Sequence, residues 1–192
     1  MAHPLPSQID ICNMALIQLG VGTISSLNDG TEPARVLSSV WDNVLQSEIA
    51  EHNWHFATKR VTLAPDQDAP VNSLAYQFTF PHDCVHLHAW DTFEKDWVVE
   101  GGKIHSNSDS IDIIYTSVPT QIGNIGALFA RALSFRLAHE ICYTLTNNLD
   151  LRGSMASSYA SAVLRARQRG AIEEGSKDVP VGSWVRTRWE DA

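Results

Sequence analysis

Cys84, His86 and His88 are the residues whose types and spacing most suggest chemistry. They stand two apart in a segment, Cys84 to Trp90, whose apolar and polar residues alternate, so a strand would put all three on one face. His105, on a nearby hairpin arm, could approach them, and a thiolate with imidazoles is a zinc-ligand set. The competing reading makes Val85, Leu87 and Ala89 the buried face and leaves the histidines lining a solvated or subunit-facing side. Zinc motifs pair their ligands at tighter, repeated spacing, so no metal site and no cofactor is expected.

His139-Glu140 begins like the helix motif of zinc proteases, but Tyr143 stands where the second histidine belongs. The carboxylates Asp83, Asp91, Glu94, Asp96, Glu100, Asp109 and Asp112 are dense enough that a pair roughly 5–10 Å apart could hydrolyse a glycosidic bond. Acid-rich loops are more often a repulsive, solvated surface. No G-x-S-x-G elbow, G-x-x-x-x-G-K-[ST] loop or G-x-G-x-x-G fingerprint occurs. No catalytic residue is expected; the alternatives are a glycan hydrolase built on the insert carboxylates and a metal-binding module at Cys84, His86 and His88.

The elements that must position these residues can be read from period and punctuation. Ser7 with Asp10 caps a helix over about Ser7 to Leu19, and Gly20 and Gly22 end its pattern. Thr31, Glu32 and Pro33 open a second helix, in which Val36, Leu37, Val40, Trp41, Val44, Leu45, Ile49 and Trp54 repeat near the helical period. These two helices are expected to form an antiparallel hairpin. From Val61 the texture turns β-branched and proline-bearing. Strands are expected over Cys84 to Trp90, over Trp97 to Glu100 and Lys103 to Ser106 about a Gly101-Gly102 turn, and over Ser110 to Ser117. An apolar helix then runs from Ile125 to about Thr146, closed by Asn147 and Asn148. A fourth follows Gly153 through Tyr159, Val163 and Ala166 and fades near Gly170 to Gly175.

The expected fold is therefore mainly α with a small antiparallel β insert, an α+β arrangement. A four-helix core (1–60 and 119–175) is interrupted by a β-rich insert, a hairpin or small sheet (61–118), and an extended C-terminal tail follows (176–192).

The chain has 192 residues, 44% of them hydrophobic and 19% charged, with a formal net charge of −8. That is enough apolar material for one compact core, and the sign disfavours binding nucleic acid by neutralising phosphates. The charge is uneven: residues 61–118 hold nine acidic and two basic residues, a net of −7, whereas residues 119–192 hold nine basic and seven acidic, a net of +2. Three widely spaced cysteines, Cys12, Cys84 and Cys142, fit a reducing compartment. No apolar run is long enough to span a bilayer, and Met1 to Ser7 is unlike a signal peptide, so a cytosolic origin and no membrane partner are expected. The tail carries Trp184, Arg186, Arg188 and Trp189, residue types that dominate binding hot spots, which points to docking on a neighbour.

Several ordered motifs resemble the tail tubular protein A group, the head-to-tail adaptors of short-tailed bacteriophages and related prophages. They are Asn13-x-Ala15-Leu16-x-x-Leu19-Gly20; Ile24-Ser25-Ser26-Leu27-x-Asp29 with Thr31 and Ala34-Arg35; and Asn53-Trp54-His55-Phe56-Ala57. Further on come Tyr76, Pro81-x-Asp83-Cys84, Trp97, Glu100-Gly101, Tyr115 and Leu128-Phe129-x-x-Ala132-Leu133-x-x-Arg136-Leu137-Ala138. The resemblance covers most of the chain. It implies a non-enzymatic homo-oligomeric ring, with twelve subunits expected, between the portal protein and a tail nozzle of the tail tubular protein B kind. DNA would pass through its channel without specific binding. It implies helices in the ring body and C-terminal contacts to a neighbour or the portal, here Trp184, Arg186, Arg188 and Trp189. The acidic insert, with Asp91, Glu94, Asp96 and Glu100, would line the channel and repel DNA. The expected location is the virion neck, after assembly in the host cytoplasm.

Overall fold

The computed structural model describes residues 6–68, 70–88, 97–119 and 122–173. They form a mixed α+β fold of four α-helices and two small antiparallel sheets. Helix α1 spans Gln8–Gln18 and opens on a capping box: the Ser7 hydroxyl accepts the Asp10 N–H and the Asp10 carboxylate accepts the Ser7 N–H. Helix α2 spans Glu32–Ala50 behind the Thr31 cap, with Pro33 in its first turn. It stops short of Trp54, which begins a 3-10 turn over His55–Ala57.

Helix α3, Ala127–Thr146, is buried on most of its surface, through Phe129, Ala132, Leu133, Leu137, Ala138 and Ile141 among others. An all-round apolar helix belongs at the centre of a bundle, and α3 does pack against α1, α2 and the fourth helix. This corrects the expected α1–α2 hairpin: both helices lie on α3 and touch each other only marginally. The hairpin in the structure joins α3 to α4, Leu149–Glu173. Asn147 adopts the left-handed conformation that ends α3, and the Asn148 side chain accepts the Leu151 N–H at 3.0 Å to start α4. Helix α4 thus begins four residues before Gly153 and runs through Gly170.

The single small sheet expected between the helices is instead two. Strands β1 (Thr58–Leu63), β3 (Cys84–Leu87) and β6 (Ile111–Ser117) form one, in the order β1-β6-β3. Strands β2 (Tyr76–Thr79), β4 (Trp97–Glu100) and β5 (Lys103–Ser106) form the other, in the order β2-β5-β4. Gly101 and Gly102 both take positive φ, +59° and +76°, as a two-residue hairpin turn requires. Strands β1 and β2 are additions to the expected set. Two apolar clusters result, one among the helices from Ile11 to Ala166 and a smaller one of Phe78, Ile104, Ile111, Ile113 and Tyr115 between the sheets.

Candidate functional site

The strand holding Cys84, His86 and His88 does not present them together. A register shift between Cys84 and His86 in the β3–β6 ladder breaks the two-residue alternation. Cys84 and Leu87 consequently pack on the sheet cluster, while His86 is exposed. His88 is buried, with its ring nitrogen 2.7 Å from the Thr116 hydroxyl. His105 belongs to the other sheet, hydrogen-bonded to the Asn72 side chain. Among the described residues no group of three histidine, cysteine or acidic side chains is placed to hold a metal ion. Burial, and after it the nearby Asp83 charge, raises the Cys84 thiol pKa, which disfavours the thiolate a metal needs.

Among the described residues, several insert carboxylates already accept hydrogen bonds. Asp83 accepts from Lys59 Nζ at 2.6 Å and from the Tyr115 hydroxyl at 3.2 Å; Asp66 accepts from Lys103 Nζ at 2.8 Å and from Thr79. These donors hold both carboxyls below the usual carboxylate range, the wrong direction for a general acid. Asp112 is bonded to the Thr62 hydroxyl. Lys59 and Arg60 lie on β1, so the sheet-bearing segment starts at Thr58 and its net charge is −5 rather than −7. Of the expected channel-lining acids, Glu100 is exposed at the end of β4, where it accepts from the Asn72 amide at 3.3 Å. Asp91, Glu94 and Asp96 lie outside the described residues, as do the tail positions Trp184, Arg186, Arg188 and Trp189.

One perturbed acid belongs to none of the sequence motifs above. Glu48, on α2, is 1% exposed, yet it is a carboxylate. Both its oxygens accept from the Tyr159 hydroxyl of α4, at 2.9 and 2.8 Å, and Arg136 Nε of α3 lies 3.6 Å away. Burial outweighs these contacts and raises its pKa, while the Tyr159 hydroxyl is pushed well above its ordinary value, first by burial and then by the carboxylate. Trp54 donates its indole N–H to the Glu48 carbonyl at 2.9 Å and packs edge-on against Phe129. The ensemble is a polar joint between three helices. Its sequence signal is a glutamate at a core position of α2, on the stripe of Leu37, Trp41, Val44 and Leu45.

Some of the residues that carry the resemblance serve as structural stitches. The Asn13 side chain accepts the Ile24 N–H and donates to the Ile24 carbonyl, both at 2.9 Å, fixing the chain after α1. Asp29 accepts the backbone N–H groups of Ser25 and Ser26 at 2.8 and 2.9 Å, closing the loop before α2. Arg136 bridges Glu48 and Glu140.

The described residues also form several surface depressions. A groove of about 230 Å³ lies beside the aromatic cluster of Trp54, Phe56 and Phe129, with Arg169 at its margin. A larger one, about 410 Å³, runs between α3 and α4, with Leu128, Arg131 and Phe135 on one side and Ser154, Ser157, Ser158, Ser161 and Arg165 on the other. Among the described residues, no helix is long and apolar enough to cross a membrane. No protein-family model matches the chain, and no curated protein is similar to it.

Proposed function

We propose that the chain is a non-enzymatic head-to-tail adaptor of a bacteriophage, forming a ring of twelve subunits between the portal and the tail nozzle. The observation that carries this reading is the ordered set of motifs from Asn13 to Ala138. Where these residues make specific polar contacts, they tie helices and loops together rather than converge on a reactive centre. Closing a ring needs two different patches on each subunit. An acidic sheet-bearing segment and a mildly basic helical C-terminal half supply complementary ones. With Asp66 and Asp83 neutralised by lysines, the charge left to repel DNA in a channel falls to the acids without such partners, Glu100 among them, together with the insert positions Asp91, Glu94 and Asp96.

The test is the solution mass of the purified protein, alone and mixed with the matching portal ring. Ring-sized assembly, alone or only on the portal, supports the adaptor. A monomer indifferent to the portal removes it.

A further inference from the structure

We infer that the groove between α3 and α4 is the seat for strand β4 of a neighbouring copy of this chain; the inference rests on the ring reading. The groove carries apolar and cationic side chains on its α3 side and serines with an arginine on its α4 side. Leu128 is 43% exposed, and the Arg131 guanidinium lies 5.8 Å from the Phe135 ring centroid, held over its face. Arg165 lines the opposite wall. Among the described residues neither arginine is ion-paired with a carboxylate, which leaves both guanidinia able to take an oxyanion from a partner.

Strand β4 has the matching chemistry. It ends its sheet, and among the described residues no strand pairs with its outer edge. Val98 and Val99 are 43% and 46% exposed and lead directly into exposed Glu100. Val98 and Glu100 share one face of the strand and Val99 takes the other, so the edge presents apolar and acidic groups that complement Leu128 and Phe135 flanked by Arg131 and Arg165.

The strand edge also needs hydrogen-bond partners, because buried backbone groups left unpaired are costly. Along α4 the groove offers serine hydroxyls. Ser157 and Ser161 give their protons to the helix carbonyls of Gly153 and Ser157, each at 3.2 Å, which leaves their oxygens free to accept strand N–H groups. The lengths agree as well. Four residues of strand span about 13 Å, and the seven residue steps from Leu128 to Phe135 rise about 10 Å along α3. A nucleic-acid occupant is disfavoured by the −8 net charge and by only two arginines in the groove.

A charge swap tests this. Arg165→Glu and Glu100→Arg, both at exposed positions, are each expected to weaken ring assembly about 100-fold in the concentration required. Chains carrying both changes recover assembly. Mixing Ser158→Cys chains with Val99→Cys chains under oxidation is expected to give the mixed disulfide, with neither chain alone doing so. Wild-type rings that form while both single variants assemble normally, or a double variant no better than the singles with no mixed disulfide, overturn the groove assignment and leave the ring reading intact. A wild-type chain that stays monomeric even on the portal overturns the ring reading, and this inference with it.

Discussion

Replacing Glu48 by glutamine separates the cost of its charge from the value of its contacts. The carboxylate is 1% exposed, and burial is the largest influence on its pKa, raising it from the ordinary 4.5. Tyr159 shares one hydroxyl proton between both Glu48 oxygens, so Tyr159→Phe removes one charge-assisted bond, worth about 1.5–3 kcal/mol. Glu48→Gln keeps an acceptor for that proton and removes a desolvated charge, while Arg136 retains Glu140 at 3.0 Å. The variant is expected to be neutral, or more stable by up to about 2 kcal/mol at pH 7. In the glutamine background the cost of Tyr159→Phe falls to about 1 kcal/mol, that of a neutral bond. The pH dependence carries the same sign. A native pKa above the unfolded one adds stability that is fully present below 4.5 and is lost as pH rises through the native value. Urea unfolding from pH 7.5 to 4.5 should therefore show the wild type gaining stability on Glu48 relative to the glutamine variant as pH falls. Asp66 and Asp83, with pKa values lowered from 3.8, act in a separate window: their contribution is lost as pH falls below that value. Equal pH slopes in the two proteins, or a glutamine variant as unstable as Tyr159→Phe, would refute the argument.

Four further outcomes follow from packing, turn geometry, thiol burial and the placement of the described metal-ligand types. Leu133→Ala, at a position 1% exposed on the central helix, should cost about 2–5 kcal/mol in chemical denaturation. Gly102→Val, which forces a β-branched residue to φ +76°, should cost about 1–2 kcal/mol and perturb the β4–β5 hairpin, visible in amide exchange of Val98 to Ser106. With a thiol reagent under native conditions, half-buried Cys84 should react before Cys12 and Cys142, which are fully buried; burial pushes the Cys12 thiol up to about 12. Elemental analysis of protein purified without a metal-chelating tag should find less than about a tenth of an equivalent of zinc.

Punctuation and caps were legible in the sequence. Ser7 with Asp10, Thr31 with Pro33, Gly101-Gly102 and Asn147-Asn148 each mark a boundary that the structure keeps, because each solves a local hydrogen-bond or dihedral requirement. Partner choice was less legible. Nothing local shows that α1 and α2 both need α3; that follows from α3 being apolar on nearly every side. Strands β1 and β2 were missed because Lys59 breaks the Val61–Leu63 face of β1 and the four residues of β2 are too few to declare a period, and their pairing with β6 and β5 is what makes them strands. The one-face placement of Cys84, His86 and His88 failed because a bulge, set by the partner strand, cannot be read from period alone. Glu48 was readable as an acid on an apolar stripe, but its partner Tyr159 lies 111 residues away in sequence.

The adaptor reading is tested most directly by imaging the purified portal ring after mixing with an excess of this protein. The account predicts a disc of added density at one end of the portal, with twelvefold symmetry, adding about 250 kDa for twelve chains of 21.2 kDa. Portal particles indistinguishable from those without the protein, at concentrations where it is folded and in excess, would contradict it.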